Sequence, residues 1–139
     1  MTDQPTRLPD LQPALRVMPL PADLNAAGDV FGGWVMAQTD IAGAVVGMRR
    51  ARGRIATVAV NSFLFKQPIS AGDVVSFYAE VVKVGRTSIT VAVQVYAERH
   101  PANPLFVKVT EAVLTYVALN PDGSKREIPA EDSLGASNA

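Results

Sequence analysis

The sequence predicts an α+β domain: one long buried helix followed by a meander of unusually long strands. Three observations carry this expectation. From Gly32 to Arg50 the chain runs GGWVMAQTDIAGAVVGMRR without a proline, a good length for a helix. Four segments rich in β-branched and aromatic residues follow it, each separated from the next by turn-forming residues. Within the third of these, Ile89, Val91, Val93 and Val95 alternate with Ser88, Thr90, Ala92 and Gln94, the period-two pattern of a half-buried strand.

Taken in order, residues 1–13 are polar and proline-rich and read as a mobile lead, with no apolar stretch of the secretory kind. A strand is plausible near Ala14–Leu20, and Asn25 to Gly33 is turn-forming. The helix ends at Arg49 and Arg50, whose cations complement its dipole, and Gly53 can terminate it. Trp34, Val35, Met36, Ile41, Val45, Val46 and Met48 cannot share one narrow stripe, so the helix is expected to be buried. The strands are expected at Ile55–Phe65, Val74–Val84, Thr87–Arg99 and Phe106–Leu119, with turns at Gln67–Asp73, Val84–Thr87 and Asn120–Gly123. They are about twice the common strand length of 5–6 residues, long enough to wrap around a helix. One helix covers only part of such a sheet, which points to a second subunit. The domain is placed at 14–127, with a flexible tail over 128–139.

Composition narrows the chemistry. Thirteen Lys and Arg balance thirteen Asp and Glu, which argues against a nucleic-acid partner, since phosphate neutralisation needs a positive excess. With no cysteine, disulfides, thiolate catalysis and Cys-based metal sites are excluded. His100 is the only histidine, so no multi-imidazole metal site exists, and none is expected. A Ser-His-Asp triad would have to use His100, which precedes Pro101 in a turn-like segment far from any nucleophile elbow. No phosphate-binding glycine loop appears, so a nucleotide redox cofactor is not expected. No stretch approaches a membrane span of about 20 apolar residues, and the chain is expected to be cytoplasmic with no membrane partner.

Asp40 is the most informative residue, the only charged position between Asp29 and Arg49. A carboxylate removed from water costs several kcal/mol unless it is paired or hydrogen-bonded. Met36, Ala37, Gly43 and Ala44, three and four residues away, supply no cation. Two readings stand: a functional carboxylate within a long helix, or the N-cap of a shorter helix beginning at Ile41. Gly32-Gly33 at the helix start likewise admits two. The pair lets backbone amides face an anion at the positive end of the dipole, or it merely permits the turn. An amide site and a carboxylate eight residues apart could serve one site or a pair of sites.

The stretch DLNAAGDVFGGWVMAQTDIAGAVV resembles the signature of the hot-dog-fold acyl-CoA thioesterases. The likeness is to the bacterial short-to-medium-chain branch, and it continues through TVAVNSFLFKQPISAGDVV, VKVGRTSITVAVQVYAE and EAVLTYVALNPDG. It covers roughly residues 14–124. The resemblance implies a hot-dog fold, in which an antiparallel sheet wraps one helix and dimers place active sites between subunits. It implies hydrolysis of acyl-CoA to fatty acid and CoA, with CoA as part of substrate and product and no separate cofactor. Asp40 would be the catalytic carboxylate, as general base or nucleophile, and Asn25 the second catalytic group, from the opposite subunit. The amides of Gly32 and Gly33 would bind the thioester oxygen, and Arg86, Thr87 and Ser88 would contact the nucleotide portion of CoA. Many relatives carry His-Gly-Gly where this chain has Phe31-Gly32-Gly33, a difference the bacterial branch tolerates. Lys66 and Arg54 are further candidates for the CoA phosphates, although the run Arg49–Arg54 also reads as a solvated helix end. A homodimer, assembled into a trimer of dimers, is the implied state.

Two other readings fit the same fold. A hydratase or dehydratase would pair its acid with a histidine, and the helix region has none. A non-catalytic acyl-CoA-binding domain would keep the groove without needing Asp40 and Asn25, both of which are present.

Overall fold

The computed structural model describes residues 6–131. Strand β1 (Leu15–Val17) and a 3-10 turn (Pro21–Asp23) lead to helix α1 (Gly32–Ala51), followed by β2 (Ile55–Phe65), β3 (Val74–Val84), β4 (Ser88–Arg99) and β5 (Leu105–Ala118). The helix is therefore continuous through Asp40, and the shorter helix capped by Asp40 does not form. An apolar run without proline has no reason to break there, and Arg52, with φ of 58°, closes the far end in the left-handed conformation.

All pairings are antiparallel, in the spatial order β1-β3-β4-β5-β2. The chain enters beside β3, crosses the sheet as α1 and returns at the opposite edge as β2. One side of the sheet faces the helix. Val91, Val93 and Val95 of β4 and Ala112, Leu114 and Tyr116 of β5 are all at most 2% exposed and form the core with Val75 and Phe77. That is the hot-dog architecture.

The sequence expectation of a wholly buried helix needs correction. Only Val35, Thr39, Ala42, Gly43, Gly47 and Ala51 are buried. Their spacing of three to four residues traces one stripe, mostly of small side chains. Met36, Ile41 and Met48 are exposed on the other side. A five-stranded sheet from one chain covers a single face of a helix, with Trp34, Ala44 and Val46 partly buried against the core at its margins.

The ends of the domain are tied down more firmly than the sequence suggests. Ala14 donates its N–H to Phe77. At the other end, Ile128 packs against the core and donates its N–H to the Arg86 carbonyl, while Arg50 donates to the Pro129 carbonyl at 2.7 Å. The tail beyond Glu131 and the lead before Thr6 lie outside the described residues.

The β2–β3 connection is held by a buried ion pair. Arg99 Nε lies 3.0 Å from Asp73 Oδ2, and the Arg99 guanidinium also donates to the Pro68 carbonyl at 2.6 Å. The Asp73 side chain is 3% exposed, and its carboxylate accepts from the Ser70 N–H. Removing one member of a buried pair strands the other, so Asp73→Ala is expected to cost about 3 kcal/mol in urea-denaturation stability. A loss below about 1 kcal/mol would mean that solvent screens the pair as it does at a surface.

Candidate active site

Asp40 sits midway along α1, half-buried, where the helix passes over the start of β2. The Thr57 hydroxyl donates to its Oδ1 at 2.7 Å. Among the described residues no cation lies within ion-pair distance of this carboxylate. A carboxylate held by neutral donors, with no counter-ion, keeps oxygen lone pairs available to act as a base or a nucleophile. Thr57 was missed in the sequence. It stands 17 residues from Asp40, and only the pairing of β2 against β5 brings it under the helix.

Asn25 organises the loop before the helix. Its Oδ1 accepts from the N–H groups of Ala27 (2.9 Å) and Asp29 (3.1 Å). Because both partners are donors, the side-chain oxygen faces the loop and the NH2 group is left to donate elsewhere. Gly32 and Gly33 open α1. Their N–H groups meet no acceptor among the described residues, as expected for the first turn of a helix, where the dipole favours negative charge. A Cβ on Gly32 would stand 3.3 Å from the Phe65 ring, whereas one on Gly33 would meet nothing.

Asn25 and Gly32 border a cleft of about 390 Å³ whose apolar walls include Val30, Val35, Phe65, Pro68 and Ile69. Lys66 lies at its edge. Asp40 is not among the lining residues. At 1.5 Å rise per residue, eight residues of helix separate Gly32 from Asp40 by about 12 Å along the axis. The structure thus gathers the predicted residues into two groups on one chain. Asn25, Gly32, Gly33 and Lys66 mark one end of β2, and Asp40 with Thr57 marks the other.

Arg54 and Arg86–Ser88 lie towards the Asp40 end, where the starts of β2 and β4 flank the end of β5. Arg54 donates to the Pro121 carbonyl at 3.1 Å, and Arg86 pairs with Glu127 at 3.2 Å with both side chains largely exposed. Arg126, which the sequence did not single out, donates to the carbonyls of Ala51 and Leu119 and so ties the helix end to the sheet. His100 occupies a turn with φ of 55°, as its position before Pro101 suggested.

The architecture, a single helix carrying one acid over an antiparallel sheet, defines a class, and the chain belongs to it: this is a member of the thioesterase superfamily, whose family model matches residues 27–102. It is 46% identical over 121 residues to an uncharacterised acyl-CoA thioester hydrolase of Haemophilus influenzae, covering 86% of this chain and 79% of that one. It is 44% identical over 119 residues to the acyl-CoA thioester hydrolase YciA of Salmonella typhimurium, covering 84% and 90% of the two chains. Its fold superposes on a hexameric hot-dog-fold thioesterase of Campylobacter jejuni with a TM-score of 0.83 at 38% identity, over 91% of this chain and 95% of that one.

Near the cleft, Lys108 and Lys66 both face Glu111, Lys66 at 3.6 Å. The hydrogen bond from Lys108, with the charges of Lys108 and Lys66, holds the Glu111 carboxyl below its ordinary value of 4.5 against a smaller opposing effect of burial. A carboxyl depressed on folding stabilises the fold above its unfolded value, and that contribution disappears as pH falls through the folded value. In an NMR titration, Lys108→Met is expected to move Glu111 upward towards 4.5. An unmoved titration would remove Lys108 as the cause.

Proposed function

We propose that this chain hydrolyses acyl-CoA thioesters at sites shared between two copies, with Asp40 from one copy and Asn25, Gly32 and Gly33 from the other. The observation that carries the reading is the 12 Å or so of helix between Gly32 and Asp40. Reacting groups must lie about 3–3.5 Å from the carbonyl they act on, so one chain's own amides and carboxylate cannot serve the same thioester.

The edge strand β2 supplies a way to bring the halves together. It is 11 residues long, its outer edge is unpaired among the described residues, and Val58, Val60, Leu64 and Phe65 are exposed along it. A long apolar edge is a template for pairing with another strand. Antiparallel pairing of two β2 strands about their middle, near Val60 and Asn61, sets the Thr57 end of one copy beside the Phe65 end of the other. Asp40 then approaches the Gly32 amides, Asn25 and cleft of its neighbour. The hexameric assembly of the Campylobacter jejuni relative supports a further step to three such pairs.

In this arrangement the thioester carbonyl points its oxygen at the Gly32 and Gly33 amides, and the acyl group enters the cleft past Val35 and Phe65. Asn25 donates from its NH2 group to the carbonyl or the attacking water. Asp40 takes a proton from that water as hydroxide adds to the carbonyl carbon, or its Oδ2 adds directly to give an anhydride that water then opens. In both routes the oxyanion collapses, the C–S bond breaks, and the thiolate of CoA leaves and is protonated. Each amide donor aimed at the developing oxyanion contributes about 2.7–4 kcal/mol. Arg86, Thr87, Ser88 and Arg54 meet the nucleotide end of CoA from one copy and Lys66 from the other. The Arg86–Glu127 pair must open for Arg86 to do so, at little cost for an exposed pair. CoA arrives and leaves as part of substrate and product, and no other cofactor is invoked. A cytoplasmic location fits the substrate. No helix among the described residues is long and apolar enough to cross a membrane.

Thiol release from acyl-CoAs of two to eighteen carbons tests the chemistry directly, since the chain has no cysteine to react with an aromatic disulfide reagent. Wild type is expected to turn over several chain lengths, and Asp40→Asn to lose about a hundredfold or more in kcat while still binding CoA. Retained turnover in Asp40→Asn would remove the carboxylate from the mechanism.

Mixing tests the sharing. Asn25→Asp keeps the oxygen that organises the loop and replaces the NH2 donor with a negatively charged carboxylate oxygen. Co-expressed with Asp40→Asn, it gives mixed pairs with one intact site, and the preparation should recover roughly a quarter of wild-type activity from two inactive parents. No recovery would place both residues in the same site of one copy.

A further inference from the structure

We infer that Tyr116 is a positioning residue for Asp40, holding the helix backbone at the position whose side chain does the chemistry. The inference rests on the role proposed for Asp40 and adds a residue that touches neither thioester nor CoA.

Tyr116 stands on β5 directly opposite Thr57 of β2. Its ring passes from the sheet to the helix, and its hydroxyl donates to the Asp40 main-chain carbonyl at 2.8 Å. Two cross-strand neighbours thus grip one helical residue, Thr57 by its carboxylate and Tyr116 by its backbone carbonyl, with the phenol also interacting with the carboxylate. The phenol is 1% exposed, so this bond does not exchange with water. A carbonyl in mid-helix already has its own N–H partner one turn on. A second buried donor there does not complete the helix but ties it to the sheet at one place.

Gly43 shows how closely the phenol is seated. A Cβ at that position would lie 2.3 Å from the Tyr116 oxygen and 3.1 Å from the ring carbon that bears it. Glycine inside a helix is less favourable than alanine. Here the missing side chain is the space that the hydroxyl occupies. Burial raises the phenol's proton affinity, as does the Asp40 charge, so the hydroxyl stays protonated and donates across the working pH range.

A carboxylate that must meet a carbonyl belonging to another copy tolerates little drift, because displacements of about 1 Å cost up to a hundredfold in rate. Tyr116→Phe deletes only the hydroxyl. It is expected to lower kcat about tenfold while KM and CoA affinity stay at wild-type values. In an Asp40→Asn background the same change should leave the residual rate unaltered, because positioning a side chain that no longer acts has no effect. Gly43→Ala approaches from the other side, keeping the hydroxyl but pushing it from the helix, and should give the same fall in kcat with KM held. Wild-type kcat in Tyr116→Phe or in folded Gly43→Ala would overturn the assignment. So would an equal proportional loss in the Asp40→Asn background, which marks a general structural effect. Asp40→Asn at the wild-type rate would instead overturn the proposed function itself.

Discussion

The close approach of α1 to the sheet governs most of what this molecule does. Ala42, Gly43 and Gly47 let the helix settle until the Tyr116 ring lies under Gly43 and the Ile55 side chain meets Gly47. At a larger separation, with Leu or Val along the stripe, the Thr57 hydroxyl would not reach Asp40, nor the Tyr116 hydroxyl its carbonyl. Here the small residues exchange part of the apolar burial for accuracy in where one charged group is held.

A second constraint follows from the straightness of that helix. Its amino end presents free amides to a cleft and its middle presents a carboxylate, and the rigid rise between them keeps the two apart. The basic residues divide in the same sense, Lys66 at one end of β2 and Arg54 with Arg86 towards the other. The outer edge of β2 has no partner strand among the described residues, and Met36, Ile41 and Met48 of the helix are exposed. Apolar surface left open beside these groups fits the proposal that two copies share each site.

Much of this was legible in the sequence, for identifiable reasons. The proline-free run marked α1 to within a residue of its end, and alternation in Ser88–Gln94 marked β4, because helix and strand periodicities are local properties. Asp40 was legible as a lone charge in an apolar helix, and Asn25 through the family's loop signature. The partners of Asp40 were not. Thr57 lies in a strand full of other small and apolar residues, and Tyr116 is 76 positions away in a strand whose register with β2 is shifted by two irregularities. Those shifts decide which residue stands opposite which, and nothing in a one-dimensional pattern encodes them. The helix's open face was misjudged for a related reason. Its apolar residues were counted correctly, but what covers them lies outside a single chain.

The unfinished edge at β2 carries a consequence for how activity depends on the amount of protein. On the proposed division of the reaction centre between copies, a newly made chain is chemically silent until it meets another. Active sites then form as the square of chain concentration when copies are scarce and in direct proportion once pairing saturates. On the same reading, dilution silences the protein without unfolding it, and isolated chains leave a thioester pool intact. The dissociation constant of one strand pairing thereby sets a threshold below which the chemistry does not start.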